Sequence, residues 1–78
     1  MQLSAIESEL LKALYKAPEM SGEIVALLKE KGVTVTLDQA QAIGEKLHTH
    51  EYINYTETRA YADVMLIRKG IDFAKSCS

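Results

Sequence analysis

Residues 36–55, TLDQAQAIGEKLHTHEYINY, decide the fold because they predict a helix that runs directly into a strand. Thr36 and Gln39 form a Thr-x-x-Gln capping box, which marks the start of a helix. The apolar residues that follow share one side at helical spacing: Leu37, Ala40, Ile43, Gly44 and Leu47. The period then changes, and residues 52–56 alternate as a half-buried strand does.

Two further helices are predicted upstream of this stretch. Ser4 and Glu7 form a second possible capping box, for a helix from about residue 4 to residue 17 that a proline ends. Ser21 is a good N-cap for the next helix. Gly32 fits the left-handed position that closes that helix. The chain therefore contains three helices before its first long strand.

The remaining segments are shorter. Residues 33–35 are β-branched and predict a small strand or an extended connector. Residues 57–61 suit a loop tip, residues 64–67 a return strand, and residues 71–75 a last short helix. Gly44 lies on the core side of the third helix, where we expect another helix to approach closely.

Length and composition indicate one soluble globular domain spanning residues 1–78. The chain is 47% hydrophobic and 26% charged, and it has no apolar run of about 18 residues that would cross a membrane. The first residues lack the basic start and apolar stretch of a signal peptide. The single cysteine, Cys77, cannot form an internal disulfide, so we expect a cytoplasmic protein.

The predicted order of elements resembles the winged helix-turn-helix superfamily over nearly the whole chain. Residues 23–47 and 52–73 carry this resemblance. The second stretch contains Leu66-Ile67-Arg68-Lys69-Gly70, which is similar to the Leu-Thr-x-x-Gly ending of many second wing strands, with Ile67 where Thr is usual. The resemblance implies an α+β winged helix-turn-helix domain with a three-helix core, a small antiparallel β-wing and a short C-terminal helix.

In winged-helix regulators the third helix enters the major groove and the wing touches phosphate or the minor groove. By this resemblance the chain is expected to be a small non-enzymatic transcriptional regulator that binds double-stranded DNA, with helix 37–50 as its recognition helix. The expected DNA contacts are Gln39, Gln41, Lys46, Thr49 and Arg59. Glutamine can make a bidentate contact to adenine, and lysine can meet phosphate or guanine.

The charge of the same region supports a different partner. Residues 37–64 contain five acids and two bases, and the whole chain carries a net charge of −2. Phosphate contacts usually need positive charge, so this surface opposes DNA binding. The alternative function is a protein–protein interaction module, an adaptor or an inhibitor, whose acidic third-helix face and wing meet a basic protein surface.

Leu11 and Tyr15 lie off the apolar face of the first helix, on one flank. They form either a homodimer interface, which would supply two DNA half-sites, or an internal contact beneath the wing or the C-terminus. The sequence leaves both alternatives open.

No motif in the chain predicts catalysis, a cofactor or a metal. His48 and His50 are two apart and point in different directions on a helix, so backbone contacts at the junction between helix and wing are expected instead. Phosphate-binding and nucleophile motifs are absent. Tyr52, Tyr55 and Tyr61 form either a stacking platform in the wing or, for one of the first two, a core contact, with Tyr61 exposed.

Overall fold

The computed structural model describes residues 3–57 and 62–77, which contain four α-helices and three β-strands. The helices are α1 (Ala5–Lys16), α2 (Ile24–Glu30), α3 (Leu37–Thr49) and α4 (Arg68–Cys77). The strands are β1 (Ser21–Glu23), β2 (Ile53–Glu57) and β3 (Ala62–Leu66), and a 3-10 turn, Pro18–Met20, precedes β1. The predicted α+β class is confirmed, and the arrangement is compatible with a winged helix.

Both predicted capping boxes are present. The Glu7 backbone N–H donates to Ser4 Oγ at 3.2 Å, and the Ser4 N–H donates to Glu7 Oε1 at 2.8 Å. The same reciprocal pair joins Thr36 and Gln39 at 3.1 and 2.9 Å. Each box satisfies two backbone donors that a helix start leaves unpaired, which is why local sequence locates α1 and α3.

The start of α2 differs from the prediction that Ser21 is its N-cap. Ser21 instead begins β1 and pairs with Met65 of β3. Glu23 is the N-cap, and its carboxylate accepts from the backbone N–H groups of Val25 and Ala26 at 2.9 and 3.3 Å. Residues 33–35 were predicted to be a small strand or an extended connector, and they are the extended connector. No strand among the described residues pairs with them.

The ends of α2 and α3 use the same left-handed turn with different residues. Gly32 has a φ of 79°, and its N–H donates to the Lys29 carbonyl. The N–H of the next residue, Val33, donates to the Leu28 carbonyl. Glu51 repeats this pattern after α3 at φ 66°, and the N–H of Tyr52 donates to the Leu47 carbonyl at 3.0 Å. Gly32 fits this backbone without strain, whereas Glu51 adopts a conformation that costs a residue with Cβ about 1–2 kcal/mol.

The sheet has the strand order β1-β3-β2, and both pairings are antiparallel. β3 is therefore the central strand, and its residues alternate strictly between the core and solvent. Ile53 of β2 opposes Leu66 of β3, and both are buried. The inner face of the sheet thus forms one wall of the core, and its outer face carries Asn54 and Met65.

The core lies between this inner face and the four helices. Its largest fully buried side chains are Leu10, Leu11, Leu14, Ile24, Leu28, Leu47 and Ile53. Gly44 permits the close approach predicted for it, but the neighbour is the Tyr55 ring of β2 rather than a helix, and a Cβ there would lie 2.5 Å from Tyr55 Cε1.

The last helix begins at Arg68, three residues before the predicted start. Gly70 lies within its first turn and is buried against the Tyr52 backbone, where a Cβ would clash. Phe73 meets the Tyr52 ring edge-on at 6.0 Å between centroids, and Ala74 is fully buried. As predicted for a C-terminal helix, α4 packs back on α1.

Candidate functional site

The outward surface of α3 is the first candidate site because it is presented beside the β2–β3 hairpin. Asp38, Ala42, Glu45 and Thr49 are exposed along it, as their helical spacing predicts. Two of these four side chains are acidic. The surface therefore carries negative charge at its centre, and we call these four residues the α3 acidic face.

Lys46, the only lysine of α3, is held by α1. Its Nζ lies 3.0 Å from Glu7 Oε2 and 3.3 Å from Oε1, although the two residues are 39 apart in sequence. The Glu7 side chain is 5% exposed and that of Lys46 47%. The one lysine of α3 is thus already paired with a buried carboxylate.

The pKa of Glu7 reflects two opposing effects. Burial raises the pKa of this carboxyl, but the hydrogen bond from the Ser4 backbone and the nearby Lys46 ammonium lower it by more. The net result is a pKa below its ordinary value, so Glu7 is ionised at neutral pH. The charged Glu7 side chain bonds to both Ser4 and Lys46, and it thereby joins the start of α1 to the third turn of α3.

The other predicted DNA contacts on α3 are also engaged within the chain. Gln39 Oε1 accepts the Thr36 N–H in the capping box, and Thr49 Oγ1 donates to the Glu45 carbonyl at 2.8 Å. Gln41 is half-buried. A bidentate contact to adenine needs both polar atoms of a glutamine amide, and one of these is already used in Gln39.

Arg59, the predicted contact in the wing, lies outside the described residues, and so does Tyr61. The structure places Gln39, Gln41, Lys46 and Thr49 on one helix, and each of them already makes an interaction within the chain. The described residues therefore supply acidic charge and little free donor capacity at this site.

The junction between α3 and β2 is fixed by polar contacts to backbone. His48 Nδ1 donates to the Ile53 carbonyl at 3.1 Å, which confirms the predicted backbone role for this histidine. Lys69 Nζ donates to the His50 carbonyl at 2.9 Å and lies 4.5 Å from the centre of the Tyr52 ring. Tyr52 is 9% exposed, so it closes the core rather than offering a stacking surface.

Leu11 and Tyr15 do not form a shared exposed surface. Leu11 is fully buried in the core, so its side chain has no surface that a second copy of the chain could contact. Of the two alternatives, the internal contact therefore applies to Leu11. Tyr15 is half-buried against the same core. Of the two predicted dimer residues, only Tyr15 has surface available for a contact.

The described residues contain neither a candidate metal site nor a candidate membrane span. No group of three or more His, Cys, Asp or Glu side chains in residues 3–57 and 62–77 could hold a metal ion. Over the same ranges, no helix has the length and apolar character needed to cross a membrane.

Comparison with known proteins adds no relative to this description. No protein-family model, curated protein or solved structure matches the chain. The candidate site therefore rests on its own geometry.

The roles of two charged residues were not predicted from sequence, one at this site and one at the start of α2. Glu7 was identified only as a capping residue, and nothing in its neighbourhood signals that it holds Lys46. Glu23 follows the serine that local propensity favours as the N-cap. Both assignments depend on where distant segments pack, which local sequence patterns do not contain.

Proposed function

We propose that this protein is a non-enzymatic interaction module whose α3 acidic face binds a basic surface on a partner protein. One observation carries the proposal: Lys46 is paired with the buried Glu7, so Asp38 and Glu45 remain exposed without compensation from the one lysine of their own helix. A basic partner would complement this charge.

Electrostatics sets the expected character of the complex. Exposed charge pairs contribute little individually, roughly 0–1 kcal/mol each, but complementary surfaces accelerate association and select partners. The complex should therefore form quickly and weaken as salt is added, because the screening length falls from about 10 Å at 0.1 M to about 3 Å at 1 M.

The test is capture of binding partners from an extract of the source cells on the immobilised protein. The variant Asp38→Lys/Glu45→Lys reverses the α3 acidic face, and Glu30→Lys/Asp72→Lys makes the same charge change at exposed positions off α3. We expect a partner with a basic surface that elutes with salt, is retained by the control variant and is lost by the α3 variant. Equal capture by both variants would rule out the α3 acidic face.

Sequence-specific DNA binding is the second candidate function, and it is favoured by the winged-helix-like placement of α3 beside the β2–β3 hairpin. Arg68 is exposed just after β3 and is the candidate phosphate contact there, whereas Lys69 beside it donates to the His50 carbonyl. Fluorescence anisotropy with random-sequence duplex DNA separates the two candidates. Under the interaction-module proposal, no binding appears at about 50 mM salt and high micromolar protein, where nonspecific DNA binders normally register. Salt-sensitive binding there would favour DNA.

A further inference from the structure

The turn that joins α1 to β1 has an unusual backbone. Glu19 and Met20 have φ values of 57° and 53°, so two consecutive residues with a Cβ adopt the left-handed conformation. This conformation is uncommon for residues other than glycine, and it persists only where the surrounding structure enforces it. The Met20 N–H donates to the Ala17 carbonyl at 2.9 Å, and β1 begins at the next residue. The left-handed pair is therefore a strained entry to β1.

The strand that follows this turn is short and lies at the edge of the sheet. β1 contains three residues, and its neighbour in the sheet is β3. Gly22, at the centre of β1, opposes Val64 and has no side chain to pack on the sheet. A glycine weakens the interior of a strand for this reason. The residues of β1 therefore contribute little of their own to its pairing.

Local sequence favours a different conformation for the same residues. Serine is among the preferred N-cap residues, yet Glu23 and not Ser21 is the N-cap of α2. A start after Ser21 would lengthen α2, which has seven residues, by Gly22 and Glu23. Glu23 would then be an acidic residue in the first turn, where it suits the helix dipole. Positions where local preference and structure disagree are often strained or functional.

We propose that residues 18–23 form a conformational switch with two states. In the closed state, β1 pairs with β3, Met20 packs against the core and Glu23 caps α2. In the open state, β1 leaves β3, the left-handed pair relaxes, and α2 begins after Ser21. β3 then becomes a sheet edge, to which an extended segment of another chain can add. The switch lies apart from the α3 acidic face and does not depend on the proposed function.

NMR relaxation dispersion on the full-length protein tests the switch. Each state has its own stabilising interactions, and such an equilibrium populates the minor state at about 0.1–10%. We expect microsecond-to-millisecond exchange at residues 19–23. Glu23 is extended in the closed state, at φ −101° and ψ 131°, so its ¹³Cα shift should be helical in the minor state.

Gly22→Pro should raise the open population at least tenfold. Proline cannot donate a hydrogen bond within a ladder, and it is favoured at the first position of a helix, which residue 22 becomes in the open state. Glu19→Gly should lower the open population at least threefold, because glycine adopts the left-handed conformation without a Cβ penalty and the Glu19 side chain is exposed.

Two disulfides in a Cys77→Ser background separate opening of β1 from other motion. Ser21→Cys/Met65→Cys joins directly opposite residues of β1 and β3, and Asn54→Cys/Met65→Cys joins β2 to the same residue of β3. The first disulfide should abolish the exchange at residues 19–23, and the second should leave its amplitude within twofold.

Helical Glu23 shifts in Gly22→Pro, together with these two disulfide results, support the switch. It is overturned by an extended or random-coil Glu23 in Gly22→Pro, by exchange that persists in the disulfide between β1 and β3, or by an unchanged open population in Glu19→Gly. A Gly22→Pro chain that does not fold also overturns it, because the open state must itself be folded.

Discussion

Glu51 occupies a backbone position that a glycine would fill at lower cost. It follows α3 in a left-handed turn at φ 66°, and the equivalent residue after α2 is Gly32 at φ 79°. Both turns make the same two backbone hydrogen bonds. The pair therefore gives an internal comparison of one backbone conformation with and without a Cβ.

Glu51→Gly is expected to raise the free energy of unfolding by roughly 0.5–1 kcal/mol. The substitution removes about 1–2 kcal/mol of left-handed backbone strain from the folded state. Part of this gain is cancelled because glycine has more conformational entropy in the unfolded chain. Urea denaturation followed by circular dichroism measures the change.

Gly32→Ala is the matched control for this prediction. A Cβ at Gly32 would meet nothing within 4 Å, so the substitution tests backbone strain alone and should lower stability by about 1 kcal/mol. A destabilised Glu51→Gly variant beside a destabilised Gly32→Ala variant would show that the Glu51 side chain makes a contribution that outweighs its strain.

Among the elements, α1 and α3 are joined by the contact between Glu7 and Lys46. Because the pKa of Glu7 is lowered in the folded state, the stabilisation from its ionised form is complete above its ordinary value of 4.5. That stabilisation is lost as the pH falls from 4.5 through the folded-state pKa.

Glu7→Gln is expected to lower the free energy of unfolding by about 1–2 kcal/mol at pH 7, since a charged hydrogen-bond acceptor is replaced by a neutral one. The difference from wild type should narrow as the pH falls below 4.5, which urea denaturation at a series of acidic pH values would measure. Glu9→Gln, which removes an exposed pair on the same helix, should change stability little. If the difference in free energy of unfolding between wild type and Glu7→Gln does not vary with pH, the stabilisation by Glu7 does not come from its ionised form.

The elements that sequence predicted correctly are those specified by nearby residues. The capping boxes at Ser4 and Thr36 and the glycine after α2 gave the positions of α1, α2 and α3 to within a few residues. β1 was missed because Ser21-Gly22-Glu23 has weak strand propensity and is a strand only through its pairing with β3. Strand propensity is a local property and contains no information about pairing with a distant strand.

The candidate site was less predictable than the fold for the same reason. Helical spacing placed Asp38 and Glu45 on the exposed face correctly. It could not show that Lys46 is paired with Glu7, because that contact joins residues 39 apart in the chain. Free positive charge on α3 was therefore overestimated from sequence.

At the scale of the whole molecule, α4 closes a small core that has little stability to spare. Removing residues 68–78 would expose the α1 surface and take away Ala74 and the Phe73 contact to Tyr52. We expect the shortened chain to lose its cooperative urea transition, because a domain of this size is only marginally stable.

Removal of residues 76–78 alone serves as the control and should leave the transition nearly unchanged, because it keeps the buried Ala74 and the contact between Phe73 and Tyr52. A sharp transition in the chain ending at residue 67 would show that α1, α2, α3 and the hairpin form a core by themselves.

The strand order β1-β3-β2 also bears on how quickly the chain folds. Only four residues separate β2 from β3 in sequence, whereas β1 comes from the first third of the chain and pairs with the same central strand. Pairing β1 with β3 closes a much longer stretch of chain than pairing β2 with β3, and this costs more entropy. It also requires that β3 is already formed. We therefore expect the hairpin to form early and β1 to dock last, so that this three-residue strand sets the final kinetic step of folding.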